Sequence, residues 1–132
     1  MTKTSKLRFT RTILTDKVDA VGDYFDLTGV EFSPEVPVIF EYDHSVVLGT
    51  AKLKRFKKLI QAEFTLDKSA PVVQANMNEK DRTLELYPCV SGMILERDGN
   101  LILRAVISAI SICNSKNCDR TIGPIGKLRK AK

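Results

Sequence analysis

Histidine occurs once, at His44, tryptophan is absent, and aromatic residues make up only 7% of the 132-residue chain. A mechanism that pairs a serine or cysteine with an imidazole base therefore has to use His44. Sparse aromatics leave few platforms on which unpaired bases stack, which argues against a nucleic-acid-binding barrel. Cysteine is scarce as well. Cys89, Cys113 and Cys118 are odd in number and irregularly spaced, so they do not outline a secreted disulfide framework, and a reducing compartment fits better. The interval from Cys113 to Cys118 lacks the two-residue spacing of a zinc site, and the lone histidine is far away in sequence, so no structural metal and no cofactor is expected. No apolar run approaches a membrane-spanning length, and the charged N-terminus leads into Leu7-Arg8-Phe9 rather than an apolar signal core. Neither a membrane span nor a secretory signal is expected.

What the chain has is enough apolar residue, 43% of the total, to build one core without staples. The expected organisation is a single domain over residues 1–126 followed by a basic tail over 127–132. Of the formal charge of +5, much is clustered between Lys52 and Lys58 and in that tail. Lysines on a hairpin edge also discourage aggregation. Exposed lysines alone give weak, salt-sensitive contact with polyanions, so specific nucleic-acid binding is not expected.

Alternation from Leu7 to Leu14 predicts a first strand, broken in period at Ile13-Leu14. Asp16 is placed to cap a short helix running to about Phe25, with 26–29 as a turn. Val38–Tyr42 reads as a strand ending near His44. The runs 46–53 and 59–66 flank the basic 54–58 stretch as a hairpin, and Ile60, Ala62, Phe64 and Leu66 make one apolar face. Ser69–Arg82 is more helix-like, with Pro71 in its first turn. Two long runs, 84–95 and 101–113, join through Asp98-Gly99, a hairpin signal. The fold class implied is α+β and mostly β, with five or more strands and short helices, in which a small sheet closes or covers its edges.

Candidate nucleophiles are Ser45, Ser69, Ser91, Ser108, Ser111, Ser115 and the three cysteines. If 101–113 is extended, Ser111 shares a face with Ile107, Ala109 and Cys113, while Ser108 lies on the other, so Ser108 and Ser111 do not serve one site. Ser91-Gly92 lacks the surroundings of a nucleophile elbow and reads as a turn or bulge.

Two segments carry a resemblance. Glu41–Ala51, with its histidine followed by a glycine-containing strand, resembles the histidine segment of the prohead (capsid maturation) serine proteases of tailed phages. Ala109–Cys113, Ala-Ile-Ser-Ile-Cys, resembles the serine-bearing strand of the related herpesvirus assemblins. Histidine-before-serine order and the separation also fit, and the likeness covers roughly residues 23–121. The resemblance implies an assemblin-like, closed or highly curved antiparallel β-barrel with short peripheral helices. It also implies action inside an immature capsid, in the host cytoplasm and within the prohead or virion, on scaffold and capsid-protein extensions. Ser111 is then the nucleophile and His44 the base, with backbone N–H groups and a cation stabilising the oxyanion. Lys116 and Arg120 follow the serine strand without reproducing the family's consecutive arginines. The second histidine of the assemblins is missing; phage members use an acidic group there, for which Asp119 and Glu63 are the candidates. Capsid and scaffold proteins are the expected partners, and a homo-oligomer is compatible. The competing expectation is a proteolytically inactive barrel serving as a virion structural, cement or adaptor protein.

Overall fold

The computed structural model describes residues 6–18, 22–78, 83–84 and 86–113. In chain order these form β1 (Lys6–Thr15), β2 (Tyr24–Phe25), a 3₁₀ turn (Leu27–Gly29), β3 (Val30–Phe32), β4 (Glu35–Phe40), β5 (Asp43–Arg55) and β6 (Leu59–Asp67). They continue with α1 (Pro71–Asn76), β7 (Met77–Asn78), β8 (Thr83–Leu84), β9 (Tyr87–Asp98) and β10 (Leu101–Cys113).

Period-two patterning places the core. Ile60, Ala62, Phe64 and Leu66 of β6 are all fully buried, as alternation on a half-covered strand requires. β1 runs antiparallel to β6 with Phe9 opposite Phe64, and the two rings stack with centroids 4.6 Å apart. The break in alternation at Ile13-Leu14 is absorbed by an irregularity in register between Thr12 and Leu14, which lets both apolar side chains turn inward. β9 and β10 form the expected hairpin, closed by Gly99-Asn100 between paired Asp98 and Leu101. Gly99 supplies the positive φ of 59° that this tight turn needs.

β10 is bonded on both edges. β9 runs antiparallel along one of them, while β2, β3 and β4 pair parallel to it in succession, at Leu101–Ile102, Ala105–Ile107 and Ile110–Ile112. The eight strands make one sheet whose main path is β1-β6-β5-β4-β10-β2, with β3 and β9 also on β10.

This corrects the expectation of a closed or highly curved antiparallel barrel. The domain is mostly β, but the sheet is open and of mixed direction. β1 and β9 approach each other, yet no ladder joins them. A cavity of about 130 Å³ lies where they fail to meet, lined by Leu14 on one side and by Val90 and Ile94 on the other. Closure needs a continuous row of hydrogen bonds between the two edge strands, and among the described residues β1 makes its ladder only with β6.

Two further expectations need correction. Tyr24–Phe25 is a strand beside Leu101–Ile102, not the end of a helix begun at Asp16. Asp26 instead caps the 3₁₀ turn, its carboxylate accepting from Thr28 N at 3.1 Å and from Thr28 Oγ1 at 2.7 Å. Of the helix expected over 69–82, the described residues show only Pro71–Asn76 as helical, with Met77–Asn78 already a strand and 79–82 outside the described residues. Proline occupies its start, where no N–H is needed, and Ala70 offers no side-chain cap. Among the described residues no helix is long and apolar enough to cross a membrane.

Arg55, at the end of β5, donates to the carbonyls of Leu27 and Val30 and lies over the Phe32 ring, 4.9 Å from its centroid. It thereby ties the β2–β3 stretch to the main sheet. We expect Phe64→Ala to destabilise the domain by about 3–5 kcal/mol through loss of the stacked pair and the cavity left behind, read as a lowered denaturation midpoint with an unchanged slope.

Candidate functional site

The site begins on β10. Ser111 lies opposite Cys89 of β9 and Ile39 of β4 and is fully buried; it and Asp23 are the buried polar residues among those described. Burying a hydroxyl is costly unless it is hydrogen-bonded. Here Oγ accepts from Tyr42 N at 2.8 Å and lies 3.4 Å from Cys113 Sγ. Asp23 is ion-paired with Arg97 at 2.8 Å. Cys89 and Cys113 are buried and packed together beside Tyr87.

Tyr42 belongs to a two-residue turn joining β4 to β5, with Phe40 paired to Asp43. Glu41 and Tyr42 have φ of 51° and 61°, the left-handed region that side chains other than glycine rarely adopt. Both residues are tied down: Glu41 N donates to Ile112 O at 3.0 Å, and Tyr42 N to Ser111 Oγ.

Beyond this turn the β4–β5 register jumps. Phe40 faces Asp43, but Ile39 faces Val47, so His44, Ser45 and Val46 bow out of the ladder. Asp43 Oδ1 holds the start of the bow, accepting from Ser45 Oγ at 2.6 Å and Ser45 N at 2.9 Å. The same Asp-x-Ser arrangement recurs at Asp67 and Ser69. His44 is carried outward and exposed.

There the imidazole lines a groove of about 400 Å³ with Ser91, Met93 and Leu95 of β9 and Val106 and Ser108 of β10. Gly92, in the groove floor, is crossed so closely by β10 that a Cβ would stand 1.8 Å from Val106 O. Ser108 falls at a bulge, since Ile107 pairs with Gly92 and Ala109 with Ser91, and its Oγ donates to Ser91 O at 3.3 Å. The Ser91 hydroxyl makes no hydrogen bond among the described residues.

The expected residues are thus distributed as follows. Ser111 lies beneath the turn that leads to His44, while His44 shares its groove with Ser91 and Ser108. Ser108 is exposed and Ser111 buried, but the expectation of opposite faces needs correction: the bulge between Ile107 and Ala109 reverses the alternation, so Ser108, like Ser111, lies away from the core face formed by Ile107, Ile110 and Ile112. Glu63 pairs with Lys52 in the middle of the β5–β6 ladder, roughly 25 Å along β5 from His44 at strand rise. Asp119, Lys116, Arg120, Ser115, Cys118 and the basic tail lie outside the described residues. Among the described residues no cluster of three or more His, Cys, Asp or Glu converges on a metal position.

An imidazole and a hydroxyl in one accessible groove can perform proton transfer and nucleophilic attack. Ser91 was read from sequence as a bulge or turn residue, because no local motif marks it. Compared with known protein families, with curated proteins and with solved structures, the chain matches none.

The Asp43 carboxyl is held below its ordinary value of 3.8, first by the Ser45 hydroxyl, then by the Ser45 N–H and, to a lesser degree, the charge of His44, against a small opposing desolvation. A depressed carboxyl stabilises the folded loop above its unfolded pKa, and that contribution is lost as pH falls through the folded one. We expect Asp43 to titrate below 3.8 by NMR, and Ser45→Ala to bring it back toward that value. Asp67, lowered in the same way by Ser69, serves as the internal control and should not respond to Ser45→Ala.

Proposed function

We propose that this chain is a serine endopeptidase of the prohead type, cleaving scaffold and capsid-protein extensions in a maturing capsid within the infected cell. The observation that carries this reading is one groove lined both by the exposed His44 and by Ser91, whose hydroxyl makes no hydrogen bond among the described residues. In this reading His44 takes the proton of the attacking hydroxyl and returns it to the leaving amine. Water then releases the acyl group by the same route. The family likeness assigns the nucleophile to Ser111. Full burial and the bond from Tyr42 N favour a holding role for that hydroxyl, and Ser91 is the nucleophile the geometry supports best. The groove's Met93, Leu95 and Val106 favour an apolar stretch of peptide as substrate.

The alternative, a proteolytically inactive virion structural, cement or adaptor protein, is favoured by exposed Met93, Ile94 and Leu95 on β9, with Met93 65% exposed. Such a run on an edge strand suits contact with another protein.

Mass spectrometry of the chain co-expressed with its capsid and scaffold proteins separates the two. Ser91→Ala and His44→Ala should each lower cleavage by at least roughly a thousandfold, whereas Ser108→Ala should lower it by no more than about tenfold. Cleavage retained in folded Ser91→Ala moves the nucleophile elsewhere, and a wild-type protein that cleaves nothing supports the structural alternative.

A further inference from the structure

We propose that Ser111 is a positioning residue: through the Glu41–Tyr42 turn it holds His44 over the groove, an inference that rests on the reading of His44 as the base. Two successive non-glycine residues in the left-handed region persist only where their surroundings over-determine them. Their surroundings include the Phe40–Asp43 pairing and two bonds to adjacent positions of β10, one to the carbonyl of Ile112 and one to the hydroxyl of Ser111. The first is a main-chain bond that any residue supplies. The second exists only because the side chain at 111 carries an oxygen.

Loss of that oxygen removes this bond to Tyr42 N and lets the turn relax toward negative φ, the region that tyrosine prefers. Relaxation is transmitted to His44 because it is only two residues away and its own segment is outside the ladder, fixed at its start by the Asp43–Ser45 bonds. The strand neighbours Ile110 and Ile112 are apolar and offer no side-chain acceptor in place of the Ser111 hydroxyl. A buried serine in the run Ala109–Cys113 is otherwise out of place, since valine or isoleucine would fill that strand position with more apolar contact.

The test uses three full-length proteins, Ser111→Ala, Tyr42→Gly and the double variant, and two readings. The first is the His44 imidazole cross-peak by NMR, with the amide spectrum as the check on folding; the second is kcat and KM for cleavage. Ser111→Ala should shift or broaden the imidazole peak while distant amides hold, and lower kcat by roughly tenfold to a hundredfold with KM little changed. Glycine takes positive φ without strain, so Tyr42→Gly in the Ser111→Ala background should restore the peak and most of kcat. An imidazole peak indifferent to Ser111→Ala overturns the proposal. So does a loss of cleavage as deep as that of Ser91→Ala that glycine at 42 fails to rescue, the behaviour of a nucleophile. Should the wild-type chain cleave nothing while the imidazole peak still responds and is rescued, the peptidase reading fails and the positioning of His44 stands.

Discussion

Hydrogen bonding along both edges of β10 is the constraint from which the rest of this molecule follows. A strand flanked on both sides and covered on both faces has no position for solvent, so it reads as a nearly unbroken apolar run, and from Ala109 to Cys113 every residue is buried. Three short parallel strands share one edge in succession, and that fixes where β4 ends and where the turn into β5 must sit: level with Ile112 and Ser111. β9 on the opposite edge fixes Ser91 and Gly92 opposite the bulge at Ser108. The groove is thus assembled from three strands whose mutual positions are all set by the central one.

Polar groups inside this arrangement are few, and each has a mechanical consequence. Asp23, paired with Arg97, binds the approach to β2 to the tip of the β9–β10 hairpin. Arg55 clamps the 3₁₀ turn from the other side through two carbonyls. Ser111 reaches the main chain of Tyr42. In the first and last, a buried polar group that would be costly to bury alone is matched to a partner far away in sequence, and the exposed Arg55 likewise reaches carbonyls more than twenty positions away. The apolar core fills volume without choosing among such alternatives, whereas these pairs fix which loop lies against which strand.

Much of the local structure was legible in sequence. Alternation in β6, the Asp98-Gly99 hairpin and the β5–β6 hairpin around the basic stretch all depend on neighbours a few residues apart, and all appear where their patterns predict. The open edge between β1 and β9 and the parallel pairing of β2, β3 and β4 with β10 were not legible, because they depend on which distant strands meet. Residues 24–25 illustrate the limit: two residues carry no period, and their strand state is imposed by Leu101–Ile102. At the site, the left-handed Glu41-Tyr42 turn gives no sign of itself, since neither residue is glycine or asparagine. The Asp43-x-Ser45 anchor did leave a signal. Asp26-x-Thr28 and Asp67-x-Ser69 repeat it, and an aspartate two residues before a hydroxyl is a known turn builder. Strict alternation on β10 put Ser108 and Ser111 on opposite faces, which the bulge between Ile107 and Ala109 overturns, and it did not show which side His44 occupies, because the bulge and the bow that carries His44 outward are both matters of register.

The geometry of β5 also bears on what the basic residues do. His44 is near the start of this strand and Lys54 and Arg55 at its end, on the order of 30 Å apart at about 3.3 Å per residue. Part of the charge at the far end is already engaged, Arg55 by the two carbonyls and Lys54 over the Phe56 ring at 5.6 Å. The groove itself is lined by an imidazole, two hydroxyls and apolar side chains, with no lysine or arginine among them. Binding to a nucleic acid is governed by the number of phosphates neutralised by cations, and among the described residues lining the groove none other than His44 can carry a positive charge. The proposed peptidase reading makes a different demand, for apolar side chains beside groups that handle a proton, and those are the residues that line the groove, at the other end of β5 from the basic hairpin.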